Sequence, residues 1–206
     1  MARGSLERPP RSLYHPMPNR NAQRRNLSKF LSLVLRHRPE VLGRSLDPAG
    51  WVDVEALIQA AQAHGRRFTR DMLEEVVATS PKRRFEFSAD GRRIRATYGH
   101  SIPVELGLEP VAPPARLFHG TVRPRLNAIL RTGLLPQQRT HVHLSDDVAT
   151  ARRVGARHGR DVVVLAVDAA RMAADGWRFY HPAPTIWLTE RVPPDYLQLV
   201  DDDEQT

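Results

Sequence analysis

Arginine and histidine side chains recur in four short segments of this chain, and this combination could handle a phosphate group. A guanidinium group matches two phosphate oxygens at once, and a neighbouring imidazole can donate or accept a proton near neutral pH. Neither side chain is the usual filling of a hydrophobic core. The segments are Leu35-Arg36-His37-Arg38-Pro39, Lys82-Arg83-Arg84-Phe85, Phe118-His119-Gly120-Thr121 and Arg139-Thr140-His141-Val142-His143-Leu144-Ser145.

Two of these segments also have an ordinary structural explanation. Arg36 and His37 would lie near the C-terminal end of a helix, where cations complement the helix dipole. The run from Lys82 to Arg84 would be a solvated group of charges before a strand. Spacing alone leaves both interpretations open.

The segment from His119 to Thr121 is more specific. It directly follows a predicted strand, and its glycine permits close approach of the backbone to a ligand. Thr121 supplies a hydroxyl group as a hydrogen-bond partner. A buried structural histidine at position 119 is the alternative.

In the fourth segment, His141, His143 and Ser145 alternate with apolar residues. A strand here would direct all three side chains to one face. A metal site on His141 and His143 is a rival interpretation. Because no carboxylate is placed to complete such a site, we expect no metal.

The chain is basic and contains no cysteine. Its 206 residues include 31 Lys and Arg against 23 Asp and Glu, and the net charge of +8 favours polyanionic partners such as nucleic acid. A GC-rich coding bias would also produce so much arginine. The lack of cysteine excludes disulfides, thiolate zinc sites and a cysteine nucleophile. With no membrane-length apolar run and no secretory signal, we expect a cytoplasmic protein without a membrane partner.

The N-terminal half begins with a polar segment and then becomes periodic. Residues 1–25 have no apolar period and are predicted to be a disordered basic leader. An apolar stripe then predicts a helix that Pro39 ends soon after Arg36 and His37. The stripe consists of Leu27, Phe30, Leu31, Val34 and Leu35.

Two more helices and a hairpin are predicted to follow. Asp53 and Thr69 are candidate N-caps, and Asp90-Gly91 is a hairpin turn signal. Three helices and a two-stranded wing predict a winged-helix-like lobe over residues 26–100. The predicted hairpin strands are Phe85–Phe87 and Ile94–Tyr98.

The C-terminal half is predicted to be an α+β lobe of short strands over residues 116–200. The segment before this lobe, residues 101–115, is predicted to be a linker or a packed extended crossover. Residues 201–206 form an acidic tail that we expect to be frayed. The predicted strands are Leu117-Phe118, Val142–Leu144, Val162–Val167, Ile186–Leu188 and Tyr196–Val200, and the predicted helices are Leu126–Arg131 and Val148–His158.

Taken together, the motifs resemble the RNA 2'-phosphotransferases of the Tpt1/KptA family, which use NAD to remove an internal 2'-phosphate left by tRNA splicing. The resemblance runs from about Ser28 to Leu199, in the family's order and approximate spacing. It rests on Ser28-Lys29-Phe30-Leu31-Ser32, Leu35-Arg36-His37, Gly50-Trp51-Val52-Asp53, Arg84-Phe85, Ile94-Arg95-Ala96, Gly99-His100-Ser101, His119-Gly120-Thr121, His141-Val142-His143-Leu144-Ser145, Val154-Gly155-Ala156-Arg157-His158-Gly159 and Trp187-Leu188-Thr189.

The resemblance implies an N-terminal winged-helix lobe and a C-terminal ADP-ribosyltransferase-like lobe, in agreement with the α+β pattern above. Where related ADP-ribosyltransferases have a glutamate, this family has an apolar residue, here Ile186. Two departures leave roles open: Tyr98 stands where the family often has Gln, and Pro184-Thr185 replaces the usual residues before Ile186. The implied catalytic residues are Arg36, His37, Arg84 and Arg139, and the implied NAD-binding residues are His119, Gly120, Thr121, His143, Ser145 and Ile186.

The resemblance also implies the reaction. The RNA 2'-phosphate attacks NAD, which is consumed as a co-substrate, and nicotinamide leaves. The RNA then leaves with a 2'-hydroxyl, and ADP-ribose 1'',2''-cyclic phosphate is released. Two alternatives stay open: transfer of ADP-ribose to terminal phosphates of RNA or DNA, and a non-catalytic module that binds RNA or ADP-ribose. We expect a monomer whose partners are NAD and RNA bearing a 2'-phosphate.

Overall fold

The computed structural model describes residues 19–43 and 45–200 of the chain. Over these residues it is a mixed α+β protein with six α-helices, nine short strands and two turns of 3-10 helix. The predicted acidic tail and residues 1–18 of the predicted leader lie outside the described residues.

Three helices build most of the N-terminal half, as the sequence predicted. They are α1 (Arg20–Arg36), α2 (Val54–Ala63) and α3 (Arg70–Ala78). Both predicted caps are confirmed, since the side chain of Asp53 accepts a hydrogen bond from the Ala56 amide and that of Thr69 from the Met72 amide. The apolar stripe of α1 is buried in one cluster with residues of α2 and α3.

Helix α1 begins earlier than expected, so the predicted leader boundary at residue 25 is wrong. Asn19 caps the helix by accepting a hydrogen bond from the Asn21 amide at 3.0 Å. Arg24 then holds the first turns to α3 through an ion pair with Glu75 at 3.2 Å. These turns are stabilised by polar contacts, which leave no apolar period in the sequence.

The N-terminal half also has a small sheet with the strand order β1-β3-β2. Strands β2 (Phe85–Phe87) and β3 (Arg93–Ala96) form the predicted hairpin, although β3 ends before Tyr98. The expected two-stranded wing has a third strand, β1 (Val52–Asp53), which pairs with β3 through Val52 and Ile94. Two residues that run directly into a helix are too few to show strand periodicity.

The C-terminal half consists of two antiparallel three-stranded sheets with the orders β4-β6-β9 and β5-β8-β7. Each predicted strand lies at an observed one, whereas β7 and α6 were not predicted. The elements are β4 (Arg116–Val122), α4 (Arg123–Thr132), β5 (Val142–Leu144), α5 (Val148–Gly155), β6 (Val162–Asp168), α6 (Ala169–Ala174), β7 (Tyr180–Ala183), β8 (Ile186–Thr189) and β9 (Leu197–Leu199).

Strand β4 is longer than predicted, and it changes the setting of one motif. Its pairing with β6 continues without a break from Arg116 to Val122. The sequence predicted that His119, Gly120 and Thr121 follow the strand. In the structure these three residues lie within it. Near its start, β4 also pairs with the chain after β5, because Phe118 and Ser145 exchange two backbone hydrogen bonds of 2.8 Å.

Residues 101–115 have no helix or strand, yet they are packed against both halves. The Glu105 amide donates to the Pro48 carbonyl and the Val111 amide to the Phe179 carbonyl, both at 2.8 Å. Of the two expectations for this segment, the packed extended crossover is therefore the one the structure supports. No helix in the described part of the chain is long and apolar enough to cross a membrane.

Candidate active site between the two halves of the chain

Arg36, the last residue of α1, is the most confined cation of the site. Its Nη2 donates to the carbonyl oxygen of Arg84 at 3.2 Å, and its guanidinium lies over the ring of Tyr98 at 4.8 Å from the centroid. Its Nε is buried and has no partner among the described residues. Burial lowers the pKa of Arg36 to about 10, and the charges of Arg84 and Arg139 act in the same direction. The side chain is still a cation at pH 7.

His37 caps the C-terminus of α1 and is held by a serine from beyond the hairpin. Its Nδ1 lies 2.9 Å from the Oγ of Ser101, whose amide donates to the Arg36 carbonyl at 2.9 Å. Burial lowers the pKa of His37, and so do the charges of Arg36 and Arg139. The imidazole is thus mainly neutral at pH 7, able to accept or donate a proton.

Gly99 is the point at which the two halves meet. Its φ of +84° is a left-handed conformation that favours glycine. A Cβ at this position would lie 3.4 Å from Nη1 of Arg36 and 3.7 Å from Nε2 of His143. Two side chains from distant parts of the sequence therefore converge above a residue that has no side chain.

His143, the middle residue of β5, directs a neutral nitrogen into this space. Its Nδ1 lies 3.1 Å from the His141 carbonyl, which assigns the proton to Nδ1 and leaves Nε2 as an acceptor. Nε2 is buried and has no partner in the described part of the chain. Burial and the charge of Arg139 lower the pKa of His143 to about 3. Such an acceptor suits a ligand hydroxyl.

His119 and Thr121 share one face of β4, because side chains alternate along a strand. The Nδ1 of His119 lies 3.2 Å from the carbonyl of His143, so the two histidines are neighbours. Burial lowers the pKa of His119, which favours its neutral form. Thr121 and Ser145 are both buried. This side of the site thus presents neutral hydrogen-bonding groups.

Gly120 lies on the opposite face of β4 and has a structural reason to be glycine. A Cβ there would lie within 3 Å of the backbone of Ala151 in α5, closer than atoms can approach. Gly155 of α5 faces it, and a Cβ there would lie 2.9 Å from the carbonyl carbon of Gly120. The glycine therefore allows α5 to pack directly on the strand, and the approach of its backbone to NAD stays a prediction.

Arg84 and Arg139 extend the cationic side of the site. Arg84 comes directly before β2, and Arg139 lies in an exposed turn that is tied to the site because the Thr140 amide donates to the His100 carbonyl at 3.1 Å. The groups that raise or lower the pKa values of Arg36, His37 and Arg139 include no Asp or Glu carboxylate. The guanidinium groups thus lie close together without a balancing acidic group among them.

Tyr98 and Ile186, whose roles the sequence left open, form an apolar wall behind the arginines. Both are buried in one small cluster. The hydroxyl of Tyr98 donates to the carbonyl of Lys82 at 3.1 Å, which fixes the loop before Arg84. At the position of Ile186 this wall is apolar, so no acid stands beside the site there.

The sequence contains the Gly99-His100-Ser101 motif, but its role in positioning Arg36 and His37 is visible only in the structure. His100 is completely buried, neither ring nitrogen has a hydrogen-bond partner among the described residues, and burial lowers its pKa to about 4. The sequence feature that could have indicated this role is the Gly-His-Ser run shortly after the hairpin. For the rival metal interpretation, the described residues contain no group of three or more His, Cys, Asp or Glu placed to hold a metal.

The assembled site has two sides. The phosphate side is a cluster of guanidinium groups with a neutral imidazole, and what we call the pocket side is a set of buried neutral acceptors and hydroxyl groups. Clustered guanidiniums without acidic partners bind phosphate. The geometry is therefore suited to a phosphate on one side and to a ligand with hydroxyl groups on the other. Of the residues predicted for it, the structure brings together Arg36, His37, Arg84, Arg139 and His143. The charges of Arg84 and Arg139 lower the pKa of Arg36, and the charge of Arg139 also lowers the pKa values of His37 and His143.

Comparison with known proteins agrees with this class. The family model for RNA 2'-phosphotransferases of the Tpt1/KptA family matches residues 22–191. The chain therefore belongs to this family. It is 51% identical to a probable RNA 2'-phosphotransferase of Hahella chejuensis over 178 residues. The alignment covers 86% of this chain and 95% of that protein. A protein of Streptomyces coelicolor with the same description is 54% identical over 172 residues, 84% of this chain and 93% of its own length.

Proposed function

We propose that this protein is an NAD-dependent enzyme that removes an internal 2'-phosphate from RNA, of the type left at a tRNA splice junction. The observation that carries the proposal is the convergence of the Arg36 guanidinium and the His143 Nε2 above Gly99. A cation for phosphate and a buried neutral acceptor for a hydroxyl lie side by side there. A reaction that joins a phosphate to a ribose needs both.

In the proposed first step, an oxygen of the RNA 2'-phosphate attacks the anomeric carbon of the nicotinamide ribose. The carbon–oxygen bond forms as the bond to nicotinamide breaks, and neutral nicotinamide leaves. A phosphate is already an anionic nucleophile and needs no base. This agrees with an apolar Ile186 where related transferases have glutamate. Arg36, Arg84 and Arg139 would hold the phosphate in line for attack.

In the proposed second step, the ribose 2''-hydroxyl attacks the phosphorus, and the RNA 2'-oxygen leaves as a hydroxyl. The products are repaired RNA and ADP-ribose 1'',2''-cyclic phosphate. The three arginines would stabilise the charge that develops on the phosphate oxygens. His37, neutral and fixed by Ser101, would take the proton of the attacking hydroxyl or return one to the leaving oxygen.

We further propose that NAD binds along β4 and β5. The buried Nε2 of His143 would accept a hydrogen bond from a ribose hydroxyl, and its lack of any partner among the described residues supports this role. His119, Thr121 and Ser145 would line the remainder of the ADP-ribose pocket. On this proposal, residues 26–100 act as a winged-helix RNA lobe and residues 116–200 as an ADP-ribosyltransferase-like lobe of a monomeric enzyme.

The test is incubation of the purified protein with NAD and a short RNA that carries one internal 2'-phosphate. Loss of the RNA phosphate together with release of nicotinamide and ADP-ribose cyclic phosphate is the expected result. Accumulation of RNA with ADP-ribose attached would favour modification that stops after the first step. If the protein consumed no NAD with any phosphorylated nucleic acid, the non-catalytic binding module would be the better description.

A further inference from the structure

A groove of about 760 Å³ runs along α1 and α3 and opens at the cationic cluster. His37 and Arg84 lie in its wall, so the groove is continuous with the proposed catalytic residues. Its other lining residues are Asn21, Arg24, Arg25, Ser28, Lys29, Ser32, Leu33, Val76, Thr79, Ser80 and Pro81.

Two cations of the groove are available to a ligand. Arg25 and Lys29 are exposed and four residues apart, which places them on the same face of α1. Neither forms a hydrogen bond or ion pair within the described residues. Arg24, in contrast, is partly neutralised by its ion pair with Glu75 at 3.2 Å. The groove therefore keeps net positive charge beyond the catalytic cluster.

We propose that this groove, lined by Arg25 and Lys29, binds the RNA strand on one side of the 2'-phosphate. The inference rests on the proposed function, because it takes the same RNA as substrate. From Arg25 to His37, α1 extends about 18 Å at 1.5 Å per residue, long enough to follow more than one nucleotide. The continuity with His37 and Arg84 lets one strand occupy both the groove and the catalytic cluster.

The lining also determines how the strand is recognised. None of the described lining residues is Phe, Tyr or Trp, the side chains on which unpaired bases stack. Arginine, lysine and hydroxyl groups instead contact the phosphates of the backbone, which carry no sequence information. The groove is therefore a sequence-tolerant track whose contribution depends strongly on salt.

The experiment compares two RNAs: a dinucleotide with one 2'-phosphate, and a decamer with the same phosphate at its centre. The variants are Arg25→Gln and Lys29→Gln. The matched control is Arg67→Gln, which removes an exposed arginine of the same half that does not line the groove. KM is measured for both RNAs at several salt concentrations.

Each groove variant is expected to raise KM for the decamer about 5-fold relative to the dinucleotide. It should also reduce the salt slope of decamer binding by about 1. The control should leave both values unchanged. If the ratio of the two KM values in the groove variants matched that of the control, the groove would not be the RNA track.

Failure of the proposed function is distinguishable from failure of this inference. If the wild-type protein released no phosphate from either RNA, the proposed function would fail. Binding of the unreacted decamer without NAD would then still test the groove, through the loss of affinity in Arg25→Gln and Lys29→Gln. Unchanged affinity in both variants would overturn the inference.

Discussion

The two sides of the site contrast in charge and in how their side chains are held. On the phosphate side, Arg36, Arg84 and Arg139 are cations, and Arg139 is exposed. On the pocket side, burial lowers the pKa values of His119 and His143, so both histidines are neutral. One side is thus suited to an anion and the other to hydroxyl groups.

On the proposed function, a bound phosphate would balance the charge of the arginine cluster. Neighbouring cations repel each other, and a bound phosphate would relieve that repulsion. The pocket side gains no charge on binding, and its buried acceptor lacks only a donor. Substitutions on the phosphate side should therefore impair the reaction of the RNA phosphate, and substitutions on the pocket side should weaken the binding of NAD.

The largest effect is expected for Arg139→Ala. The side chain of Arg139 makes no hydrogen bond within the described residues, so its loss should change the melting temperature little. Removal of the RNA phosphate should slow by about 100-fold or more, since one electrostatic contact to a developing charge is lost. Turnover and thermal unfolding, measured on the same preparation, check both parts.

A suitable control for that variant is Arg131→Ala. Arg131 is an exposed arginine in the last turn of α4 and does not contribute to the site. It changes net charge by the same amount. Unchanged turnover in Arg139→Ala, or an equal loss in both variants, would remove Arg139 from the phosphate side.

His143→Asn should break the pocket side alone. The asparagine amide can still donate to the His141 carbonyl in place of Nδ1, but the acceptor at Nε2 is lost. We expect KM for NAD to rise about 10-fold, since one hydrogen bond is worth roughly 1 kcal/mol or somewhat more. KM for the RNA should stay nearly constant. Initial rates with each substrate varied in turn give the two constants.

His181→Asn is the matched control, because His181 is an exposed histidine of β7 in the same half. It should alter neither constant. An equal rise of both KM values in His143→Asn would show that the two sides do not act separately.

A smaller effect is expected for Ser101→Ala. Without the Oγ, the imidazole of His37 loses the partner at 2.9 Å that fixes its orientation. Turnover should fall about 5-fold through poorer proton transfer, with little change in KM for NAD. Ser101→Thr keeps the hydroxyl and should restore most of the rate. A variant without rescue by threonine would point to packing at this position and not to the hydrogen bond.

The sequence was sufficient where local rules decide structure. The stripe from Leu27 to Leu35, the caps Asp53 and Thr69, and the hairpin all form where spacing placed them, because each depends on a few neighbouring residues. The residues of the phosphate cluster were named through resemblance to a family. Their spacing alone was equally compatible with exposed charges.

The remainder depends on contacts between distant segments. Gly120 and Gly155 are 35 positions apart, so nothing local showed that a helix packs against the first. Likewise, nothing near Gly99 in the sequence showed that Arg36 and His143 converge on it. The buried acceptor of His143 and the bond between Ser101 and His37 likewise exist only after the two halves pack together.

The contrast between exposed and buried histidines also predicts how stability varies with pH. The pKa is about 3 for His143 and about 4 for His100 in the folded protein, against about 6.5 in an unfolded chain. Between these values the unfolded state binds more protons, so acid favours unfolding. Stability should be fully present above pH 6.5 and should fall as the pH drops toward 4.

Each of these two histidines can contribute up to about 1.4 kcal/mol per pH unit to that slope. His143→Asn should therefore make the slope clearly shallower, whereas His37→Asn should change it less, because His37 is less buried. Urea unfolding at pH 7, 6 and 5 measures how the free energy of unfolding changes with pH in the wild-type protein and in each of the two variants. If His143→Asn kept the wild-type slope, His143 would be able to accept a proton in the folded protein. The pocket side would then be a second site for anions, and its neutrality would no longer separate it from the arginine cluster.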